Sequence, residues 1–243
     1  HVAGRYLKLG RNVSQTPWFV DGERLAPTSV SEEIERHLLP VFGSGTEGTF
    51  TAAGREDADV KMLGKGRPFY IVISNPDVST VSQQVLDKVA CDINANSEFV
   101  RVNGLWMMDS SHTNIIKEGE QSKRKHYSAL VWTSEPLTQE HLNRLEQYQS
   151  KQFEIAQETP IRVLQRRAPL NRPKTIYSMT VQKHPDHEQL AIVDLVTEAG
   201  TYIKEFIHGD LGRTEPSFRT LAGVKVADIL ALDVQAVELE WPP

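Results

Sequence analysis

Thirteen residues from Gly54 to Gly66 hold three carboxylates, Glu56, Asp57 and Asp59, and three basic side chains, Arg55, Lys61 and Lys65. Gly54 can take a backbone angle with φ > 0, so the chain can turn sharply just before Arg55. Such a turn can hold one carboxylate in a cleft, where it would serve as a nucleophile or a general base. Asp57 and Asp59 lie two apart and would share a face if the stretch were extended, which is also the arrangement of a carboxylate-pair hydrolase. The same composition fits a solvated, charge-balanced surface loop. A second candidate is the run Ile161 to Lys174, which carries Arg162, Arg166, Arg167, Arg172 and Lys174 and no acidic residue. In an acidic protein this reads either as a phosphate track or as a surface paired with the excess carboxylates. A third is Gly200 to Arg213, where Lys204 projects near an expected helix start while Tyr202, Ile203, Phe206 and Ile207 turn inward. The fourth is Tyr127, which follows Lys123-Arg124-Lys125-His126 and opens a strand. An aromatic beside basic residues can stack on a nucleobase or simply pack at the strand end.

The composition limits what these groups can be for. The chain has 243 residues, 39% hydrophobic and 24% charged, with a net charge of −5. That fits a globular protein of one large domain or two small ones. An acidic balance leaves nucleic-acid binding to a local patch. The single cysteine, Cys91, excludes a disulfide framework and a cysteine-based zinc site, and reads as an inert thiol in a reducing compartment. None of the eight histidines makes a metal-ligand pair on a helix face, and His184 and His187 flank a Pro185-Asp186 turn. No metal is expected. No apolar run reaches the roughly 18 residues that span a membrane, so no membrane partner is expected. The first residues are not a signal peptide, and an opening without an initiator Met reads as part of a longer chain. Gly-rich phosphate loops, dinucleotide fingerprints and Gly-x-Ser-x-Gly elbows are lacking, which weakens nucleotide-hydrolase, dehydrogenase and serine-hydrolase readings.

The elements that must position these groups follow from periodicity. Helices are expected over Thr28–Phe42, with Ser29 and Glu32 as a capping box, and over Ser79–Asn94, with Val81, Val85, Val89 and Ile93 on one face. Two more are expected over Thr138–Gln149 and from Gly200 to about Leu211. Strands are expected at Thr49–Thr51, Phe69–Ile73, Tyr127–Thr133 and Val234–Leu239. Thr175–Lys183 and Gln189–Val196 should form a long hairpin, and Glu98–Met108 a shorter one turning at Asn103-Gly104. A turn is expected near Asp21-Gly22, and a mobile polar segment over Lys117–Lys125. Strands outnumber helices and join mainly through hairpins, which predicts an α+β fold with a mainly antiparallel sheet.

Gly54-Arg55-Glu56-Asp57 resembles the Gly-Arg-x-Asp motif of pseudouridine synthases, in which the Asp is the indispensable catalytic residue. Gly200-Thr201-Tyr202-Ile203-Lys204 resembles the Gly-Thr-Tyr-Ile-Arg/Lys motif of tRNA pseudouridine-55 synthases. Longer strings, at 11–23, 54–69, 159–167, 199–213 and 227–243, look in order like the archaeal and eukaryotic tRNA pseudouridine synthases that modify positions 54 and 55. The resemblance implies a pseudouridine synthase fold, a mixed, mainly antiparallel sheet flanked by helices and loops. It implies that residues 1–243 are one catalytic domain whose upstream RNA-binding domain, with its THUMP module, lies outside this chain. It further implies an isomerase acting without cofactor on uridines of the tRNA T-arm, monomeric, in nucleus and cytoplasm, with the mitochondrion as an alternative.

Residue by residue, the resemblance assigns catalysis to Asp57, with Lys204 as its ion-pair partner and Tyr127 stacked on the flipped base. Arg55 would fill the space the base leaves, and Leu221 would close the uracil pocket. Arg162, Arg166 and Arg167 would contact phosphates. Where relatives carry Arg, Lys204 offers one point charge and no bidentate fork. The competing expectation is binding of structured RNA without catalysis, as a tRNA chaperone or in microRNA precursor processing.

Overall fold

The computed structural model describes residues 1–242. The chain divides into two compact units, one formed by His1–Lys123 with the chain from Asp233 onward, the other by Arg124–Leu232. The expected α+β architecture holds, with largely antiparallel strands flanked by helices.

In the first unit β1 (Val2–Lys8) lies between β5 (Lys61–Ser74) and β6 (Val100–Met107), antiparallel to both. Its residues are almost all buried, as expected of a strand with neighbours on both sides and both faces covered. The strand β4 (Glu47–Ala52) pairs antiparallel with the far half of β5. The strand β12 (Ala227–Val237) enters this unit at Asp233, where Asp233 and Val234 pair parallel with Lys61 and Met62. A small hairpin, β2 (Phe19–Val20) and β3 (Glu23–Arg24), turns at Asp21-Gly22 with both residues at positive φ, the geometry tight hairpins prefer.

Three expectations change here. Asn103-Gly104 is not a hairpin turn. It lies within the continuous strand β6, where the register against β1 slips between Gly4 and Tyr6. Gly104, at φ 80, absorbs the extra residue as a bulge, which asks for the same left-handed conformation as the turn. The helix expected over Ser79–Asn94 is α2 (Gln83–Asn96), capped by Ser82. It buries Leu86, Val89, Ala90 and Ile93, while Val85 is exposed. A strict four-residue spacing advances 400° per step on a 3.6-residue helix, so the Val81–Ile93 stripe drifts off one face. The polar segment over Lys117–Lys125 is largely helical, as α3 (Thr113–Ser122), which buries Ile116 and packs Gly119 against Leu239.

The first helix, α1 (Val30–Leu38), continues as a 3-10 turn over Leu39–Phe42, because Pro40 cannot donate to an α-helical ladder. Ser29 caps it, accepting from the Glu32 amide and donating its hydroxyl to the Glu32 carboxylate. On the next turn Glu35 is half-buried, and a Cβ on Gly48 would meet it at 3.1 Å. Burial, reinforced by the Glu32 charge, pushes the Glu35 carboxyl up to about 7. A carboxyl raised above its unfolded value stabilises fully below pH about 4.5, and the benefit fades as pH rises through about 7. Replacing Glu35 with Gln should therefore leave acid stability unchanged and raise stability at pH 8 by about 1–2 kcal/mol, allowing for solvent screening. Urea unfolding of both forms at pH 4.5 and pH 8 measures the difference, and equal stabilities at pH 8 would refute it.

The second unit is built on β7 (Lys125–Thr133), β8 (Phe153–Glu158), β9 (Asn171–Lys183) and β10 (Leu190–Thr197), with the short β11 (Thr214–Glu215) at the edge. Their order is β11-β8-β9-β10-β7, and every pair is antiparallel. The long hairpin expected from the alternation is β9 with β10. In β10, Ala191, Val193, Leu195 and Thr197 are buried and the residues between them are not, the two-residue period of a sheet with one covered face. The helices α4 (Gln139–Glu146), α5 (Ile203–His208) and α6 (Phe218–Ala222) pack together, α4 also touching β9 and α5 touching β11. The helix expected from Gly200 to Leu211 is thus short, because Gly209 enters the left-handed region at φ 84 and closes it.

Candidate functional site

The charged stretch is two things, not one loop. From Lys61 onward it is strand β5, and only residues 53–60 form a loop. Gly54 sits at φ 87 and its amide bonds back to the Ala52 carbonyl at 2.9 Å. A side chain there would be strained, so glycine sets the turn that starts the loop. Beyond it the side chains sort by position. Arg55 is exposed, Glu56 is buried, Asp57 is half-buried and Asp59 is exposed. The three carboxylates are therefore not equivalent.

Glu56 is the anchor. Both its oxygens accept from the Tyr6 hydroxyl at 2.9 Å, Arg67 Nε donates to Oε2 at 2.7 Å, and Lys8 Nζ lies 3.8 Å from Oε1. Gln15 donates to the Tyr6 hydroxyl at 2.8 Å. Burial pushes the Tyr6 phenol well above its ordinary range, with the Glu56 charge adding to it. Burial also lowers the Lys8 ammonium, although Glu56 pulls it the other way. So the phenol stays neutral, donating its proton to the carboxylate.

The same residues hold the loop backbone. Arg67 donates to the Ala53 carbonyl at 2.8 Å and Gln15 to that of Gly54 at 2.9 Å. Lys8 donates to Asp57 at 2.9 Å and to Ala58 at 3.3 Å, and Arg11 to Asp59 at 2.9 Å. Val60 N closes the loop on the Asp57 carbonyl at 3.0 Å. Asp57 thus has a main chain fixed on two sides and a half-buried side chain. That is the requirement for a preorganised nucleophile or base. Sequence reasoning missed Tyr6, Lys8, Gln15 and Arg67. Their signal was weak, a Tyr and a Lys two apart near the start of the chain and an Arg inside a run of charges.

The other expected residues lie in the second unit. Tyr127, half-buried, is in β7 opposite Leu195 of β10. Lys204, also half-buried, is the second residue of α5. The entry to that helix is fixed by Gln157 of β8, which accepts from the Tyr202 amide at 2.8 Å and donates to its carbonyl at 3.1 Å. Tyr202 was expected to turn inward, but it caps the helix half-exposed, with its hydroxyl accepting from Arg167 at 2.9 Å. Leu221 is buried in α6, whose start is a Ser217–Thr220 capping box.

The arginine run is partly structural. Ile161–Val163 is a 3-10 turn. Arg162 Nε donates to Glu205, a buried carboxylate of α5, at 2.7 Å. Arg162 and Arg167 therefore tie the turn to α5, while Arg166 is exposed. Among the described residues no three His, Cys, Asp or Glu side chains are grouped to hold a metal ion. Nor is any described helix long and apolar enough to cross a membrane.

A family model described as Pus10, C-terminal, matches residues 1–238. The chain belongs to this family. Its curated relatives include the tRNA pseudouridine synthase Pus10 of Mus musculus, 43% identical over 242 residues, covering 100% of this chain and 45% of the relative. The putative tRNA pseudouridine synthase Pus10 of Drosophila melanogaster is 44% identical over 99% of this chain and 48% of its own length. An archaeal relative of the same name, from Halorubrum lacusprofundi, is 38% identical over 100% of this chain and 59% of its own. The chain spans about half the length of the curated animal relatives it matches. Its fold is also that of a chain in the crystal structure of a Cbf5-Nop10-Gar1 complex, with a TM-score of 0.50 at 14% identity, covering 95% of this chain and 47% of that one.

Proposed function

We propose that this chain isomerises uridine to pseudouridine in the T-arm of tRNA, at position 55, 54 or both. The observation that carries the reading is the Asp57 loop. A buried Glu56 network, through Lys8 and Arg67, fixes the backbone of the loop that carries Asp57, in a chain of the Pus10 C-terminal family.

In the proposed reaction the target uridine first leaves the base stack, as it does for other enzymes that act on bases. Arg55, exposed beside the turn, occupies the vacated space. Asp57 then attacks C1′ or removes the C2′ proton, and the C1′–N1 bond breaks. The base turns and C5 bonds to C1′, which releases the Asp57 oxygen from C1′ on the first route or takes the proton back at C2′ on the second; C5 then gives up its proton and N1 takes one. Atoms and electrons balance within the nucleoside, so no redox or phosphoryl cofactor is called for. Lys204 is the cation that the family resemblance pairs with this step, one point charge where relatives carry an Arg fork. Tyr127 stacks on the flipped base, and Leu221 lines its apolar side.

The test is an unmodified tRNA transcript incubated with the protein and mapped for carbodiimide-resistant adducts. Adducts at position 55 or 54 support the reading, and a transcript with none refutes it. The same assay separates the arginines. Arg166→Ala should weaken tRNA binding and reduce the salt dependence by about one counterion. Arg162→Ala should in addition lower thermal stability, since it strips the partner from buried Glu205, a loss on the order of 3 kcal/mol.

A further inference from the structure

Leu211 is 91% exposed and sits at φ 58, ψ 33. The left-handed region costs a residue with a Cβ roughly 1–2 kcal/mol. Asp210 before it is also left-handed at φ 45, and Gly212 after it at φ 89. The turn is held from several directions. The Asp210 amide donates to His208 Nδ1 at 2.9 Å, and its Oδ2 accepts from the Ile161 amide at 3.1 Å. Gly212 N bonds to Gly209 O at 2.9 Å and Arg213 N to Asp210 O at 3.1 Å. A rigid, strained turn therefore lifts an apolar side chain into solvent. Core burial does not account for it, and a Gly or Asn would make the same turn at lower cost. Strain of this kind persists where the side chain is used.

The surroundings define what would use it. The Ile161–Asp210 bond brings the arginine turn beside Leu211. On that turn Ile161 and Leu164 are 44% and 37% exposed, and residues three apart on a 3-10 turn lie on one side. Arg166 and Arg167 are exposed on the same segment. The nearby carboxylates are already compensated. Arg213 lies 2.8 Å from Glu158 and 3.7 Å from Asp210, and Arg162 holds Glu205. The surface presented is apolar and cationic, complementary to a ligand with phosphates and exposed flat apolar faces. Unstacked RNA has both.

We propose that Leu211 is an RNA-contacting wedge, pressed against a nucleobase face while Arg166 and Arg167 hold the adjoining phosphates. The inference rests on the tRNA reading above and names a contact which that reading lacks. Leu211→Gly and Leu211→Asn both relieve the backbone, so each should raise the melting temperature, by on the order of 2 °C. Each should also weaken binding of an unmodified tRNA transcript roughly five-fold, from lost apolar burial. Leu211→Met should bind as the parent does. So should Leu230→Ala, which removes another exposed leucine, on β12. More stable Gly and Asn variants that bind tRNA as the parent does would overturn the wedge. So would variants that lose binding only to anionic phospholipid vesicles. A parent protein that forms pseudouridine while the variants bind unchanged refutes the wedge alone. A parent that neither binds nor modifies tRNA refutes the wedge and the functional reading together.

Discussion

Replacing Asp57 with Asn is expected to abolish pseudouridine formation, a loss of at least ~1,000-fold, while tRNA affinity survives. The substitution keeps the shape of the side chain and removes only its charge and nucleophilic oxygen. The loop should not move, because Lys8, Gln15, Arg67 and Arg11 hold its carbonyls and none of those bonds uses the Asp57 carboxylate. Asp59→Ala is the comparison. Asp59 is exposed, and its variant should keep most of the activity. Tritium release from labelled tRNA reads both. An active Asp57→Ala with a dead Asp59→Ala would reassign the chemistry.

The largest effect on stability is expected at Glu56. Its side chain and that of Arg67 are each 1% exposed, and that of Lys8 is 0% exposed. Glu56→Gln leaves two buried cations facing an amide. Breaking a buried pair by removing one partner costs about 3–5 kcal/mol, because the remaining charge is stranded. In a chain of this size that corresponds to a melting temperature lower by roughly 10 °C. Activity should fall as well, since the Asp57 main chain hangs from the same Lys8. A variant that melts with the parent would show that Glu56 does not hold the loop. A Glu56→Leu, Arg67→Met double variant should recover part of the loss, because it removes one of the two stranded charges and leaves only Lys8.

How much of this was legible depended on the range of the forces involved. The β9–β10 hairpin could be read because its two-residue alternation and its Pro185-Asp186 turn are local. The Ser29 and Thr138 caps were legible or nearly so for the same reason. Asn103-Gly104 misled because a bulge and a tight turn ask the same thing of a glycine, and only the partner strand β1 decides between them. The helix stops short of the expected Leu211 because apolar spacing continues past Gly209 while the backbone there turns left-handed. At the site, Gly54, Arg55 and Asp57 stood out by resemblance, and the loop they form is present. The residues that hold it were not legible. Tyr6, Lys8 and Gln15 lie 50, 49 and 39 positions from their partners in the loop, and a buried lysine looks like any other in a sequence. The arginine run likewise read as one surface, since the Arg162–Glu205 bond joins positions 43 apart.

The return of the chain at Asp233 bears on how the protein is made. The second unit is an insertion within the first, so the first cannot be finished in the order it is translated. When Lys123 leaves the ribosome, Lys61 and Met62 still lack their parallel partners Asp233 and Val234. Arg5 lacks two of its acceptors, the carbonyls of Leu239 and Trp241. The carbonyls of Gly4 and Phe69 lack the Trp241 indole. Strands β1 and β5, which carry Tyr6, Lys8 and Arg67, must wait for the last residues before they are fully braced. A premature stop upstream of Asp233 would thus undermine the Asp57 loop from a distance of more than a hundred residues, with every candidate site residue still encoded.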